Sequence, residues 1–233
     1  MRRLEMRLLL TLLAVSATLT GFIYLTSEVR EGETSRFDRA VVLAFRSAGD
    51  LGTAIGPRWV QESARDFTAV GGFTVLAVIT LAGIAMLWMH GRRYQAMAFG
   101  GTVLIAQAAA EILKHFVDRP RPMIVPQLDL VYSSSFPSGH AMMAPVVYLT
   151  LAAILAAGDR RRGVKVLLLA GAAFLVIAVG VSRVYLGVHW PTDVIGGWTL
   201  GFAIALASAF VLHKTAPVRG AAAEVKPDAP GAR

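Results

Sequence analysis

Six apolar runs, each close to the length of a helix that crosses a bilayer, constrain this chain more than any other feature. They lie near residues 7–27, 68–89, 95–113, 140–157, 164–181 and 193–212. A bilayer core takes about 20 helical residues. None of the runs alternates strictly in polarity, as the shorter strands of an outer-membrane barrel would. Helices satisfy their own backbone groups in lipid. The expected fold class is all-α, a six-transmembrane-helix bundle. Only 16% of the residues are charged, against about 25% in an ordinary soluble domain. Residues 1–214 are expected to form one membrane domain. The stretch 215–233 is rich in Ala, Pro and Gly without an apolar period, and is expected to be a disordered tail. Met1-Arg2-Arg3 ahead of the first run resembles a signal peptide. The uncharged stretch from Leu8 to Ser27 is longer than the usual signal core of about 7–15 residues, so a retained first helix is expected.

Charge then orients the bundle. Arg2, Arg3 and Arg7 precede span one. Arg92 and Arg93 lie between spans two and three, Arg160, Arg161, Arg162 and Lys165 between four and five, and Lys214 and Arg219 after six. These segments alternate so as to share one face, and an excess of Lys and Arg marks the cytoplasmic face. The net charge of +8 is therefore read as topology rather than as a nucleic-acid surface, and no nucleic-acid partner is expected. Both termini are expected in the cytoplasm, in a multi-pass protein of the cytoplasmic (inner) membrane. In the long first outward connector, Phe37, Val41 and Phe45 recur at helical spacing. They predict a short amphipathic helix on the membrane surface. The chain has no cysteine, which excludes disulfides and thiolate chemistry.

Three further polar stretches are brought by this topology to the opposite, outward face. They read Lys114-HFVDRP-Arg121-Pro122, Pro137-Ser138-Gly139-His140, and Ser182-Arg183-VYLGV-His189-WPT-Asp193. Phosphoryl transfer needs charge neutralisation and alignment more than covalent ingenuity. Lys114, Arg121 and Arg183 supply the cations. Ser138 is a natural N-cap, and Gly139 lets a ligand approach the backbone at a helix N-terminus, where N–H groups favour an anion. Pro191 opens a second helix just beyond His189. His189 and Asp193 stand one helical turn apart. A carboxylate on one ring nitrogen fixes the tautomer and frees the other to attack. His189 is thus the candidate nucleophile, Asp193 its orienter and His140 the general acid and base. Arg119 admits two readings, phosphate ligand or interfacial anchor. His90, His115 and His213 are read as packed histidines bonded to backbone. Glu111 is expected to pair with Lys114 or Arg121. Two histidines and an aspartate can also hold a metal, but three adjacent cations oppose it, and no metal is expected.

In order and spacing, K-x6-R-P, P-S-G-H and S-R-x5-H-x3-D resemble the type-2 phosphatidic acid phosphatase superfamily, with every signature position filled. Six helices with short inner connectors resemble its integral-membrane branch. The resemblance implies a phosphatase that needs no metal or other cofactor and takes a lipid phosphate as substrate. It implies phosphate binding by Lys114, Arg121, Ser138, Gly139 and Arg183, and catalysis by His140, His189 and Asp193 in catalytic loops at the extracytoplasmic face. Family members act on undecaprenyl pyrophosphate, phosphatidylglycerophosphate or phosphatidate. Undecaprenyl pyrophosphate is the first substrate expected here, because the site faces the side where that carrier is released. The alternatives are a phosphatidylglycerophosphate or phosphatidate phosphatase and a lipid phosphotransferase using the same histidine. The apolar spans hold no visible ruler for chain length and no signal of oligomeric state.

Overall fold

The computed structural model describes residues 2–129, 131 and 133–214. The expected tail lies outside the described residues, as do the side chains of residues 2–4, 7, 213 and 214. The chain folds as an all-α membrane bundle. Its helices are α1 (Arg2–Glu31), α2 (Ser35–Ala44), α3 (Arg58–Val70), α4 (Phe73–Met89), α5 (Arg93–Val117), α6 (Gly139–Ala144), α7 (Thr150–Gly158), α8 (Arg162–Tyr185) and α9 (Pro191–Lys214). Among the described residues, five spans are long and apolar enough to cross a membrane, with α6 and α7 joined as Gly139–Gly158; α3 and α4 supply the sixth if they are taken as one bent span. Exposed apolar side chains such as Leu81, Leu104, Ile105, Leu167 and Phe174 cover the outside of the bundle. A surface this apolar needs lipid around it.

The second span departs from its expected form. The run 68–89 belongs to two helices, α3 and α4, that meet at 48°. Gly71 and Gly72 form the break. A Cβ on Gly71 would fall 2.3 Å from Val179 Cγ1 and 3.4 Å from the His140 ring, so only glycine lets the chain turn this close. The Tyr148 hydroxyl donates to the Val70 carbonyl at 2.7 Å, which satisfies an acceptor at the end of α3. Tyr148 sits in a π-helical turn, Pro145–Leu149, between α6 and α7. The break and the turn therefore support each other.

The centre of the bundle is the contact between α6 and α9. Cβ atoms on Gly197 and Gly201 would lie 2.7 Å from the Ser138 carbonyl and 2.4 Å from the Met142 carbonyl. Two glycines four apart let the backbones touch, the usual device of membrane helices. This contact brings the Ser138-Gly139-His140 turn beside the start of α9, where the Ser138 N–H donates to the Asp193 carbonyl at 3.0 Å.

The connector after α1 forms α2, as its periodicity predicts, but its inner face differs from the expected one. Phe37 is exposed, while Asp38 and Val42 are completely buried. A two-stranded antiparallel hairpin follows, β1 (Arg46–Ser47) and β2 (Asp50–Ala54). It is pinned to the end of α8 by Arg46, which donates to the Tyr185 carbonyl at 2.9 Å, and by the Tyr185 hydroxyl, which donates to the Ile55 carbonyl at 2.8 Å.

Candidate active site

The three motifs meet at one end of the bundle, at the C-termini of α5 and α8 and the N-termini of α6 and α9. α5 stops after Val117 because Asp118 turns left-handed, at φ 39°, and two prolines follow. The last turn of α5 presents Lys114, whose Nζ would lie 3.5 Å from a Cβ on Gly139. The Ser138 hydroxyl accepts from the Ala141 N–H at 3.5 Å, the expected N-cap. Arg183, His189, Lys114 and Arg121 are all near enough to act electrostatically on His140.

His189 sits in the loop between α8 and α9 and is 2% exposed. Its Nδ1 lies 3.4 Å from Asp193 Oδ2 and 3.4 Å from the Ser135 hydroxyl. Ser135 donates a very short bond to the same carboxylate oxygen. Catalytic hydrogen bonds are often this long before substrate binds. The other ring nitrogen, Nε2, accepts from Arg121 Nη1 at 3.0 Å. That pairing requires a lone pair on Nε2 and the proton on Nδ1, the tautomer suited to attack. Burial pushes the His189 imidazole down to about 4; the Asp193 carboxylate opposes the shift, and Arg121 and Arg183 add to it. The ring is neutral across the physiological range.

Arg121 is held by the Ser133 carbonyl at 2.7 Å, the Val188 carbonyl at 2.7 Å and the Ser134 carbonyl at 3.4 Å. Burial, followed by the charge of Arg183, lowers its guanidinium to about 10, still protonated at neutral pH. Arg183 is 1% exposed. Its Nη1 donates to the Thr68 hydroxyl at 2.7 Å and to Asp129 Oδ2 at 2.6 Å. Glu111 pairs with Lys114 at 3.4 Å, one of its two expected partners, and is half exposed. His90 bonds the Met86 carbonyl at 2.8 Å but is exposed rather than packed. His115 is also exposed.

Arg119 is not an interfacial anchor. Its Nη1 donates to Asp193 Oδ1 at 2.6 Å and its Nη2 to Asp38 Oδ2 at 2.6 Å. Asp38 in turn accepts from the Thr192 N–H at 3.0 Å and the Thr192 hydroxyl at 2.7 Å. The Trp190 N–H donates to Asp193 Oδ2 at 2.8 Å. Together the two carboxylates cap α9, in a capping box whose forward half comes from α2. The N–H groups that Pro191 seemed to offer a phosphate are thus engaged by Asp38 and Asp193. Sequence reasoning missed Asp38 and Ser135. The run Ser133-Ser134-Ser135 beside a motif was the available signal for Ser135; Asp38 gave none, since its partner Thr192 is 154 residues away.

A cavity of about 450 Å³ opens beside these groups, lined by Arg65, Thr68 and Ala69 of α3, by Leu128, Asp129 and Val131, and by His140 and Arg183. A larger hollow of about 660 Å³ between α1 and α5 contains no motif residue. Chemically, the site offers a neutral imidazole aimed by a carboxylate, a second imidazole and three cations around them. That set can accept a phosphoryl group and stabilise its charge.

Residues 95–216 match the PAP2 superfamily. The chain is 32% identical over 173 residues to phosphatidylglycerophosphatase B of Bacillus subtilis (strain 168), spanning 70% of this chain and 80% of that protein. It is 34% identical over 168 residues to decaprenylphosphoryl-5-phosphoribose phosphatase of Mycolicibacterium smegmatis, spanning 71% and 83%. The crystal structure of a transmembrane PAP2-type phosphatidylglycerolphosphate phosphatase from Bacillus subtilis superposes with a TM-score of 0.79 at 26% identity, over 88% of this chain and 98% of that one. With this coverage and a filled three-part signature, the chain belongs to the PAP2 superfamily, among its membrane phosphatases.

Proposed function

We propose that the protein hydrolyses lipid phosphates or pyrophosphates, without a metal, through a phosphohistidine on His189. The observation that carries the reading is the His189 ring, with Nδ1 against Asp193 and Nε2 against Arg121. Substrate phosphate replaces the imidazole as the partner of Arg121, while Lys114, Arg183 and the Ser138-Gly139 turn take its other oxygens. Nε2 then attacks phosphorus as the bond to the leaving oxygen breaks. His140 gives that oxygen a proton. Bound phosphate supplies the negative charge that makes an imidazolium tolerable among these cations. In the second half, His140 takes a proton from water, which attacks the phosphohistidine and releases inorganic phosphate. Asp193 orients His189, and Arg119 holds Asp193.

The likeness to phosphatidylglycerophosphatase B supports phosphatidylglycerophosphate as a substrate to compare with undecaprenyl pyrophosphate. The basic connectors Arg92-Arg93 and Arg160–Lys165 adjoin the helix ends remote from the motifs, which supports a site on the outward face of the cytoplasmic membrane with both termini inside. The test is to incubate purified protein with labelled lipid in the presence of chelator. Phosphate release with an acid-labile label on the protein, both lost in His189→Ala, is expected. Release that requires added divalent metal, or a label that persists in His189→Ala, overturns the mechanism. Label appearing on an alcohol acceptor instead of inorganic phosphate would make the enzyme a phosphotransferase.

A further inference from the structure

The cavity beside His140 contains a cation that the mechanism leaves unused. Arg65 is exposed and lines the 450 Å³ cavity together with Thr68 and Ala69, which follow it by three and four residues on the same face of α3. No ion pair or hydrogen bond engages Arg65 among the described residues, although Glu62 and Asp66 are close in sequence and exposed. The other arginine in the cavity, Arg183, is committed through Nη1 to Thr68 and Asp129. Asp129 is the only acid in the lining, and it lies on Arg183.

Location gives this free cation a meaning. A general acid must come within hydrogen-bond reach of the leaving oxygen. If His140 is that acid, the leaving group occupies the cavity His140 lines. The scissile phosphate already has Lys114, Arg121 and Arg183. Arg65, one turn before Thr68 on α3, lines that same cavity. The bend at Gly71-Gly72, pinned by the Tyr148–Val70 hydrogen bond, holds this face of α3 against the cavity. A guanidinium with open donors suits phosphate oxygens.

We propose that Arg65 recognises a second phosphate, carried by the leaving group, and so selects lipids with two phosphates over lipids with one. The proposal rests on the lipid-phosphatase reading and on His140 as the acid. The second phosphate is either the inner phosphate of a pyrophosphate lipid or the phosphodiester of phosphatidylglycerophosphate. The chemistry Arg65 reads is the same in both.

The experiment compares the full-length enzyme with Arg65→Gln and Arg65→Lys in detergent micelles. Three lipids are used: undecaprenyl pyrophosphate, phosphatidylglycerophosphate and phosphatidate, which has a single phosphate. Arg65→Gln is expected to raise KM about tenfold on a two-phosphate lipid with kcat within about twofold. On phosphatidate, kcat/KM should move by less than about twofold, which also certifies the fold. Arg65→Lys should recover most of the lost KM. An effect confined to undecaprenyl pyrophosphate identifies the inner pyrophosphate as the group recognised; one confined to phosphatidylglycerophosphate identifies the phosphodiester. An equal loss on all three lipids, or no loss on any, overturns the proposal while leaving the phosphatase reading intact. If the unsubstituted enzyme releases no phosphate from any of them, the phosphatase reading falls, and this inference falls with it.

Discussion

The first and fourth spans have nearly the same mean hydropathy, 2.1 and 1.9, yet 6% of the first and 67% of the fourth is buried within the protein. Hydropathy reports transfer out of water. It does not distinguish lipid from protein interior, because lipid tails are as apolar as leucine. Small residues let span four pack closely, even though Met142, Val146, Val147 and Tyr148 are buried there too. Span four buries Ala141, Ala144, Ala152 and Ala156 and lies against Gly197 and Gly201 of α9. α1 turns Leu12, Leu13, Leu19 and Ile23 outward. The reaction groups sit at the mouth of the buried wall; α1 packs beside it through Phe22, which stacks on Phe136, and through Leu25, next to Gly196. Substitutions on the two sides should therefore differ in kind as well as in size.

The largest effect is expected at Arg119, which bridges two fully buried carboxylates at the head of α9. Arg119→Ala leaves Asp38 and Asp193 without their common cation. Breaking a buried ion pair in this way costs about 3–5 kcal/mol. Melting in detergent should register the loss, and phosphate release should fall with it. Arg119→Lys should recover stability better than activity, since one ammonium cannot bridge two carboxylates as a guanidinium fork does. A near-neutral Arg119→Ala would show that the wall does not depend on this network.

Next comes the glycine contact itself. Gly201→Val puts a Cβ 2.4 Å from the Met142 carbonyl oxygen and 2.5 Å from Pro145 Cγ, both too close. Overpacking of this kind costs about 1–3 kcal/mol, sometimes more. A lower melting temperature with retained helical signal is the expected result. A milder, local version lies at the break in span two. Gly71→Ala presses on Val179 and the His140 ring. We expect kcat to fall about tenfold, equivalent to about 1.4 kcal/mol, with less change in melting.

These sites mark the boundary of what was legible in the sequence. An all-α bundle of five or six spans and the meeting of the three motifs at one end follow from apolar run length and motif spacing, which are local properties. The break at Gly71-Gly72 was passed over because an apolar run continues through it, although a Gly-Gly pair is itself a breaker signal; the close approach of Val179, far away in the chain, was not legible. Arg119 admitted both a phosphate-ligand and an anchor reading because it stands just past the end of a span, where snorkelling arginines also stand, and neither reading foresaw its bridge between Asp38 and Asp193. Asp38 looked like the polar face of a surface helix. Its burial depends on Thr192 and Arg119, and no periodicity within α2 encodes either one.

A smaller effect is expected from pH. The acid limb of kcat/KM reports the free enzyme's base, here His189. Burial holds its folded-state value at about 4, well below about 6.5 for an ordinary imidazole. Protonation is disfavoured in the folded enzyme, so activity that depends on neutral His189 persists as pH falls from 7 to 5. No fall in kcat/KM is expected across that interval, and a rise toward pH 5 would report His140, the acid that must carry a proton. A loss centred near pH 6.5 would mean that His189 is solvated in the working enzyme.

The smallest effect belongs to the lipid-facing side, and it is the sharpest check on the opening comparison. Leu13 lies in the first span and is 57% exposed. In a soluble protein an exposed leucine contacts water; here lipid or detergent tails surround it in the folded bundle. Leu13→Ala removes contacts that those tails replace, so no cavity forms and little protein packing is lost. Surface changes away from specific features stay within about 0.5 kcal/mol, and the same bound is expected for Leu13→Ala, with phosphate release unchanged. A destabilisation of about 2 kcal/mol, as for a leucine in a packed core, would mean that this face of α1 is covered by protein, and that the first span is buried in the working assembly much as the fourth is in the single chain.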